Sequence, residues 1–175
     1  MFEKNASRIL KVLDEDGSQI YGMLYHLVLN EKVAEELFQD LFLKLSEIKH
    51  IDKIIDLNAY AKKVAINLAF DWRKKNKVGV ALDSIQEPFT TEGSPLGEMI
   101  SEETLQGVLA AAGKLKGLSR EVFVLHYLED KTYVEIGEEL DKDVHQVRAL
   151  CHKALKVVRK LVGENYGKQA REEEK

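Results

Sequence analysis

The chain is poor in residues that cross-link, break or anchor a polypeptide. Its 175 residues hold one cysteine, two prolines and one tryptophan. A lone thiol, Cys151, cannot close an internal disulfide, which fits a reducing, cytoplasmic setting. No uninterrupted apolar run approaches the roughly 20 residues that cross a bilayer, so no membrane insertion is expected. The N-terminal MFEKNASRILKVLDEDG lacks an apolar signal-peptide core followed by a small-residue cleavage site. His26, His50, His126, His145, His152 and Cys151 show no compact metal-ligand spacing, and there is no phosphate loop or nucleophile motif. No metal, cofactor or enzymatic activity is expected. His145 and His152 are seven apart and could share a helix face, for which a surface or nucleic-acid-facing place is expected rather than metal binding.

Positive charge is missing from one place in particular. Residues 78–112 contain no Lys or Arg and six acids: Asp83, Glu87, Glu92, Glu98, Glu102 and Glu103. Residues 1–77 and 113–175 each hold 13 Lys+Arg against 12 Asp+Glu, so both flanks are slightly positive and the net charge of −4 is due to the acidic middle. Both prolines, Pro88 and Pro95, fall in the same stretch with Gly79, Gly93 and Gly97, the composition of a linker. Ser94-Pro95 reads as the start of a helix running to about Lys114.

What the chain has in quantity is helix-forming amphipathic sequence. A hydrophobic share of 45% with 32% charged residues suits a soluble globular protein. The expected class is all-α. Two small helical domains, residues 1–77 and 113–163, are joined by the acidic segment 78–112, and 164–175 reads as a frayed polar tail.

Leu118 to Leu161 reads as a helix followed by a helix-turn-helix. Thr132 with Glu135 and Asp143 with Gln146 have the spacing of capping boxes, and Leu140-Asp141-Lys142-Asp143 is a turn-length polar break between them. On the last helix Val147, Leu150, Cys151, Ala154, Val158 and Leu161 recur at three- and four-residue steps and face a core. The other side carries His145, Arg148, Ala149, His152, Lys156, Arg159 and Lys160, with Gln146 and Lys153 near them. In a helix-turn-helix the start of the second helix enters the major groove. Arg148 suits guanine, Gln146 suits adenine, and Ala149 can touch a thymine methyl. Lys153, Lys156, Arg159 and Lys160 are placed for phosphates. An ordinary amphipathic helix with a solvated basic face stands as the alternative.

The N-terminal half reads as a bundle. Helices are expected over Ser18 to Leu29, Lys32 to Ile48 and Leu57 to Lys77, with Asn30 as a break or cap and a loop over His50 to Asp56. In the second helix Ala34, Leu37, Phe38, Leu41, Leu45 and Ile48 form the core stripe, and Phe42 and Leu43 widen the apolar surface beside it. Its polar face offers Glu35, Glu36, Gln39, Asp40 and Lys44. The third ends in Trp72-Arg73-Lys74-Lys75-Asn76-Lys77. Those cations suit the helix dipole, and equally a phosphate-binding face with Tyr60 and Trp72 available to stack on bases.

Taken together, these segments resemble the extracytoplasmic-function group of bacterial sigma-70 factors. Ala34-Glu35-Glu36-Leu37-Phe38-Gln39-Asp40-Leu41-Phe42-Leu43-Lys44-Leu45 resembles the polymerase-binding helix of that group. Asn67-Leu68-Ala69-Phe70-Asp71-Trp72-Arg73-Lys74 resembles its promoter-melting helix. Leu118-Ser119-Arg120-Glu121-Val122-Phe123 and Tyr133-Val134-Glu135-Ile136-Gly137-Glu138-Glu139-Leu140 resemble the opening and first helix of its second DNA-binding domain. Four positions depart from the pattern: Asp141 and His145 replace frequent glycines, Lys142 a small apolar residue, and Leu150 a frequent arginine.

The resemblance implies a sigma factor with core RNA polymerase and promoter DNA as partners and an anti-sigma factor as a further candidate. Glu36, Leu37, Gln39, Asp40, Phe42 and Leu43 would bind polymerase. Lys53, Asn58, Asn67, Trp72, Arg73, Lys74, Lys75 and Lys77 would take the minus-ten element, with a flipped base held by the loop over about His50 to Asn58. Thr132, Tyr133, His145, Gln146, Arg148, Ala149, His152 and Lys153 would hold the minus-thirty-five element as duplex. The acidic linker would run through the polymerase cleft. A helix-turn-helix regulator acting without polymerase, and a helical interaction protein, are the competing readings.

Overall fold

The computed structural model describes the backbone of residues 2–76 and 102–173, with side chains from 5–76 and 104–164. The chain divides into two compact units, Met1–Lys75 and Asn76–Lys175. All regular structure among the described residues is helical. No described helix is long and apolar enough to cross a membrane.

The first unit packs three helices, α1 (Phe2–Val28), α2 (Glu31–Ser46) and α3 (Leu57–Lys75), each against the other two. The first is far longer than the expected Ser18 to Leu29. Gly17 and the acids around it obscure the apolar rhythm, yet Ile9, Ile20, Met23, Leu24 and Leu27 are buried along its length. It stops at Leu29, whose backbone is left-handed (φ 56°). Asn30 then caps α2, its side-chain oxygen accepting from the Val33 N–H at 3.0 Å. Ala34, Leu37, Leu41 and Leu45 bury the core face of α2. Phe38 is half-buried, edge-on to Tyr21 with ring centroids 6.1 Å apart.

A short 3-10 turn, Ile51–Lys53, stands within the expected loop. Ile51 is fully buried, and Asp56 caps α3 by accepting from the Ala59 N–H at 2.9 Å. α3 ends at Lys75 rather than Lys77; Asn76 is already in a turn.

In the second unit, α4 (Glu102–Ala112) and α5 (Leu118–Phe123) pack on the long last helix. α4 closes two residues before Lys114, through Lys114 N–H bonding to the Ala111 carbonyl at 3.0 Å. Its proposed start at Ser94-Pro95 lies outside the described residues. α5 continues into a π-helical turn, Val124–Leu128, in which Glu129 N–H reaches the Val124 carbonyl at 3.0 Å. α6 (Tyr133–Leu140) and α7 (Val144–Glu173) complete the unit. Val122, Leu125, Ile136, Val147 and Cys151 form one buried cluster, with Leu118, Leu140 and Leu150 packed against it. α7 runs to Glu173, where a frayed tail is expected from residue 164 onward. Lys168, Gln169, Ala170 and Arg171 are strong helix formers, which offsets the cost of about 1 kcal/mol for each interior glycine.

Candidate nucleic-acid interface

The helix-turn-helix is built by local bonds that the sequence spells out. The Thr132 hydroxyl oxygen accepts from the Glu135 N–H at 3.2 Å, and the Glu135 carboxylate accepts from the Thr132 N–H at 2.8 Å. Both halves of the capping box are therefore closed. The Thr132 N–H, and after it the Thr132 hydroxyl, which donates to the same carboxylate at 2.8 Å, hold the Glu135 carboxyl below its ordinary range. At the second start Asp143 caps α7 by accepting from the His145 N–H at 2.8 Å, one residue before the expected partner Gln146. The two helices meet through a left-handed Asp141 (φ 50°, ψ 53°), which explains why glycine is frequent there in the family resembled.

That geometry turns one face of α7 to solvent. His145, Gln146, Arg148, Ala149, His152 and Lys153 are all exposed, while Val147, Cys151, Ala154 and Val158 are buried behind them. Leu150 is half-buried on the core cluster, so its place belongs to packing. The Cys151 thiol is fully enclosed 3.7 Å from the Val122 carbonyl, and burial pushes it up to about 11. Thr132 is exposed but committed to its cap. Tyr133 is half-buried, with the Arg148 guanidinium 5.7 Å from its ring centre.

In the first unit the expected strand-binding residues separate into two sets. Lys53, Asn67, Lys74 and Lys75 are exposed, and Trp72 is half-buried. Arg73 is not available as a surface cation. It is only 4% exposed and donates to the Leu27 carbonyl at 3.0 Å, and burial pushes its guanidinium down to about 10. It follows Ile66, Ala69 and Phe70 on the inward side of α3, which decides the matter. Asn58 is half-buried, and its amide donates to the Asp16 carboxylate, which ties α3 to α1. Lys77 lies outside the described residues.

Asn67 opens onto a cavity of about 390 Å³ lined also by Lys44, Leu45, Ile48, Tyr60, Val64, Leu68 and Asp71. An aromatic ring, an amide, a cation and an apolar floor are the groups that receive an unstacked base. The loop before α3 is fixed from α1. Arg8 donates to the carbonyls of Ile51 and Ile54 at 2.8 and 2.9 Å. Between them and α3, Ile55 stands fully exposed. Neither Arg8 nor Asp16 carries a sequence signal, because bonds to distant carbonyls leave no periodicity.

On α2, Glu36, Gln39, Asp40, Phe42 and Leu43 form an exposed surface, with Phe42 40% and Leu43 57% exposed. Leu37, expected among the polymerase contacts, is 5% exposed and belongs to the core, one turn before Leu41.

The family model "Sigma-70, region 4" matches residues 105–158, which span the helix-turn-helix. The ECF RNA polymerase sigma factor SigW of Bacillus subtilis (strain 168) is 26% identical over 162 residues, covering 85% of this chain and 86% of that protein. The ferric citrate uptake sigma factor FecI of Escherichia coli (strain K12) is 27% identical over 124 residues, covering 70% and 72% respectively. The solved RsbN–BldN complex aligns with 92% of this chain and 99% of its own at 17% identity, with a TM-score of 0.35. Residues 105–158 thus match the sigma-70 region 4 model, and over most of its length the chain is similar to sigma factors of the extracytoplasmic-function group.

Proposed function

We propose that this chain is a cytoplasmic sigma factor that binds core RNA polymerase and directs promoter-specific initiation, acting by binding and not by turnover. One observation carries the reading. The first turns of α7 present His145, Gln146, Arg148 and Ala149 to solvent on a helix anchored by a closed helix-turn-helix core. This is the arrangement that enters a major groove and reads the minus-thirty-five element.

The first unit supplies the strand-opening half of the activity. The cavity beside Asn67 and Tyr60 would hold one base of the minus-ten element after it leaves the stack, and that binding offsets part of the unstacking cost. Lys53, Lys74 and Lys75 would follow the strand backbone, adding affinity that falls with salt. Phe42 and Leu43, rimmed by Glu36, Gln39 and Asp40, would meet a polymerase helix through an apolar centre with charged edges.

Run-off transcription tests the reading directly, with purified core polymerase and a genomic promoter library, with and without the chain. Promoter-specific starts are expected only when it is present. Tight, sequence-specific binding to duplex DNA without polymerase, and no new starts with it, would replace this reading by that of an independent regulator.

A further inference from the structure

A column of rings leads from the core of the second unit to its reading face. Phe123 is buried, and Tyr127 packs against it with centroids 5.0 Å apart. His126 lies 4.7 Å from Tyr127, edge-on at 73°. It stacks on Tyr133 at 4.4 Å and 29°. Tyr133 in turn lies under the guanidinium of Arg148, 5.7 Å from its ring centre and within cation–π range.

Each ring is held at its backbone or its edge. His126 and Tyr127 sit in the π-helical turn Val124–Leu128, an irregularity that re-aims side chains and is enriched at functional sites. The imidazole Nδ1 lies 2.7 Å from the Lys131 carbonyl, which can only accept, so Nδ1 carries the proton and the ring plane is fixed. Tyr133 is the first residue of α6, inside the closed Thr132–Glu135 box. The base-reading candidate with the longest side chain thus rests on a support fixed at three points.

We propose that His126 and Tyr133 are positioning residues for Arg148, a stacked pedestal that presets its guanidinium toward one base pair of the upstream promoter element. The inference rests on Arg148 being a base reader, as in the function proposed above. Bidentate recognition of guanine needs the planar fork in one orientation. A free arginine would lose its rotamer freedom on binding, and the ring takes part of that loss in advance. Neither ring needs to touch DNA.

The test measures binding of the full chain with core polymerase to a promoter set carrying every single base-pair change in the upstream element. Arg148→Ala should abolish discrimination at one position. Tyr133→Leu and His126→Leu should each weaken discrimination at that same position by roughly two- to fivefold, the range of an exposed cation–π contact. Tyr133→Phe should keep it, and Tyr133→Leu should add nothing to Arg148→Ala. Thermal melts of each variant separate this from unfolding, and Tyr133→Phe with His126→Leu stand in if Tyr133→Leu does not fold. Uniform weakening at every position, or full discrimination in the folded leucine variants, overturns the pedestal. Unchanged discrimination in Arg148→Ala overturns it as well, by removing Arg148 as a base reader.

Discussion

A Cβ on Gly137 would lie 2.8 Å from the carbonyl oxygen of Lys142. Lys142 also donates its N–H to the Gly137 carbonyl at 2.9 Å, so the turn closes directly over this position of α6. Gly137→Ala must push backbone away, because no flexible side chain stands there to yield. Overpacking of this kind costs about 1–3 kcal/mol, more than the ~1 kcal/mol that alanine gains over glycine inside a helix. The expected result is a lower Tm and weaker binding to the upstream element. A Tm at or above the parent value would show that the α6–α7 turn can open without cost.

Four residues on, the sign should reverse. Asp141 holds φ 50° and ψ 53°, a conformation that costs an L-residue about 1–2 kcal/mol, somewhat less for aspartate. Asp141→Gly removes that strain and loses part of the gain to the greater freedom of the unfolded chain. A net stabilisation of up to about 1 kcal/mol is expected in denaturant titration. Destabilisation would mean that the aspartate side chain contributes more than its backbone costs.

This turn also marks how far the sequence could be read. The Thr132–Glu135 box, the Asn30 cap and the buried stripe of α7 were legible because caps and three- or four-residue periods are local. The first half of α1 was not, since its apolar positions thin out to Ile9, and the chain from Lys11 to Gly17 is broken by charge. Basic residues in a row hid a more consequential distinction. In Arg73-Lys74-Lys75 each step turns the side chain by about 100°, so neighbours in sequence fall on different sides of α3. The cavity at Asn67 depends on where α2 and α3 meet, which no local pattern records.

That distinction is testable. Arg73 bonds the Leu27 carbonyl from inside the unit, whereas Lys74 and Lys75 are exposed. Arg73→Met should destabilise the first unit by about 1–3 kcal/mol, the range for leaving a buried acceptor unpaired. Lys74→Ala with Lys75→Ala should leave the Tm unchanged, weaken single-strand binding at low salt and flatten its salt dependence. A flattened salt slope in folded Arg73→Met with no loss of stability would return Arg73 to the DNA face.

The same logic divides α2. Leu37 is part of the core, and Leu37→Ala should cost about 2–5 kcal/mol of stability. Phe42→Ala and Leu43→Ala remove exposed surface, so they should leave the melting curve nearly unchanged while reducing affinity for core polymerase. Pull-down with the purified core enzyme, paired with thermal melts, reads both effects. Equal polymerase affinity in the parent and in the Phe42→Ala, Leu43→Ala double variant would place the docking surface elsewhere.

Acid should loosen the helix-turn-helix through its cap. The Glu135 carboxyl sits below its ordinary value chiefly because the Thr132 backbone N–H donates to it, with the Thr132 hydroxyl second. A carboxylate with a depressed folded pKa contributes stability that is complete above its unfolded value, 4.5 here, and is lost as pH falls through the folded one. Glu135→Gln removes this dependence, because an amide can still accept the bond but does not titrate. Parent and variant should therefore differ most near neutral pH and converge as the parent is acidified below 4.5. Melting curves collected from pH 7 down to pH 3 would read the convergence. A constant gap between the two across that range would place the acid sensitivity of α6 in another group.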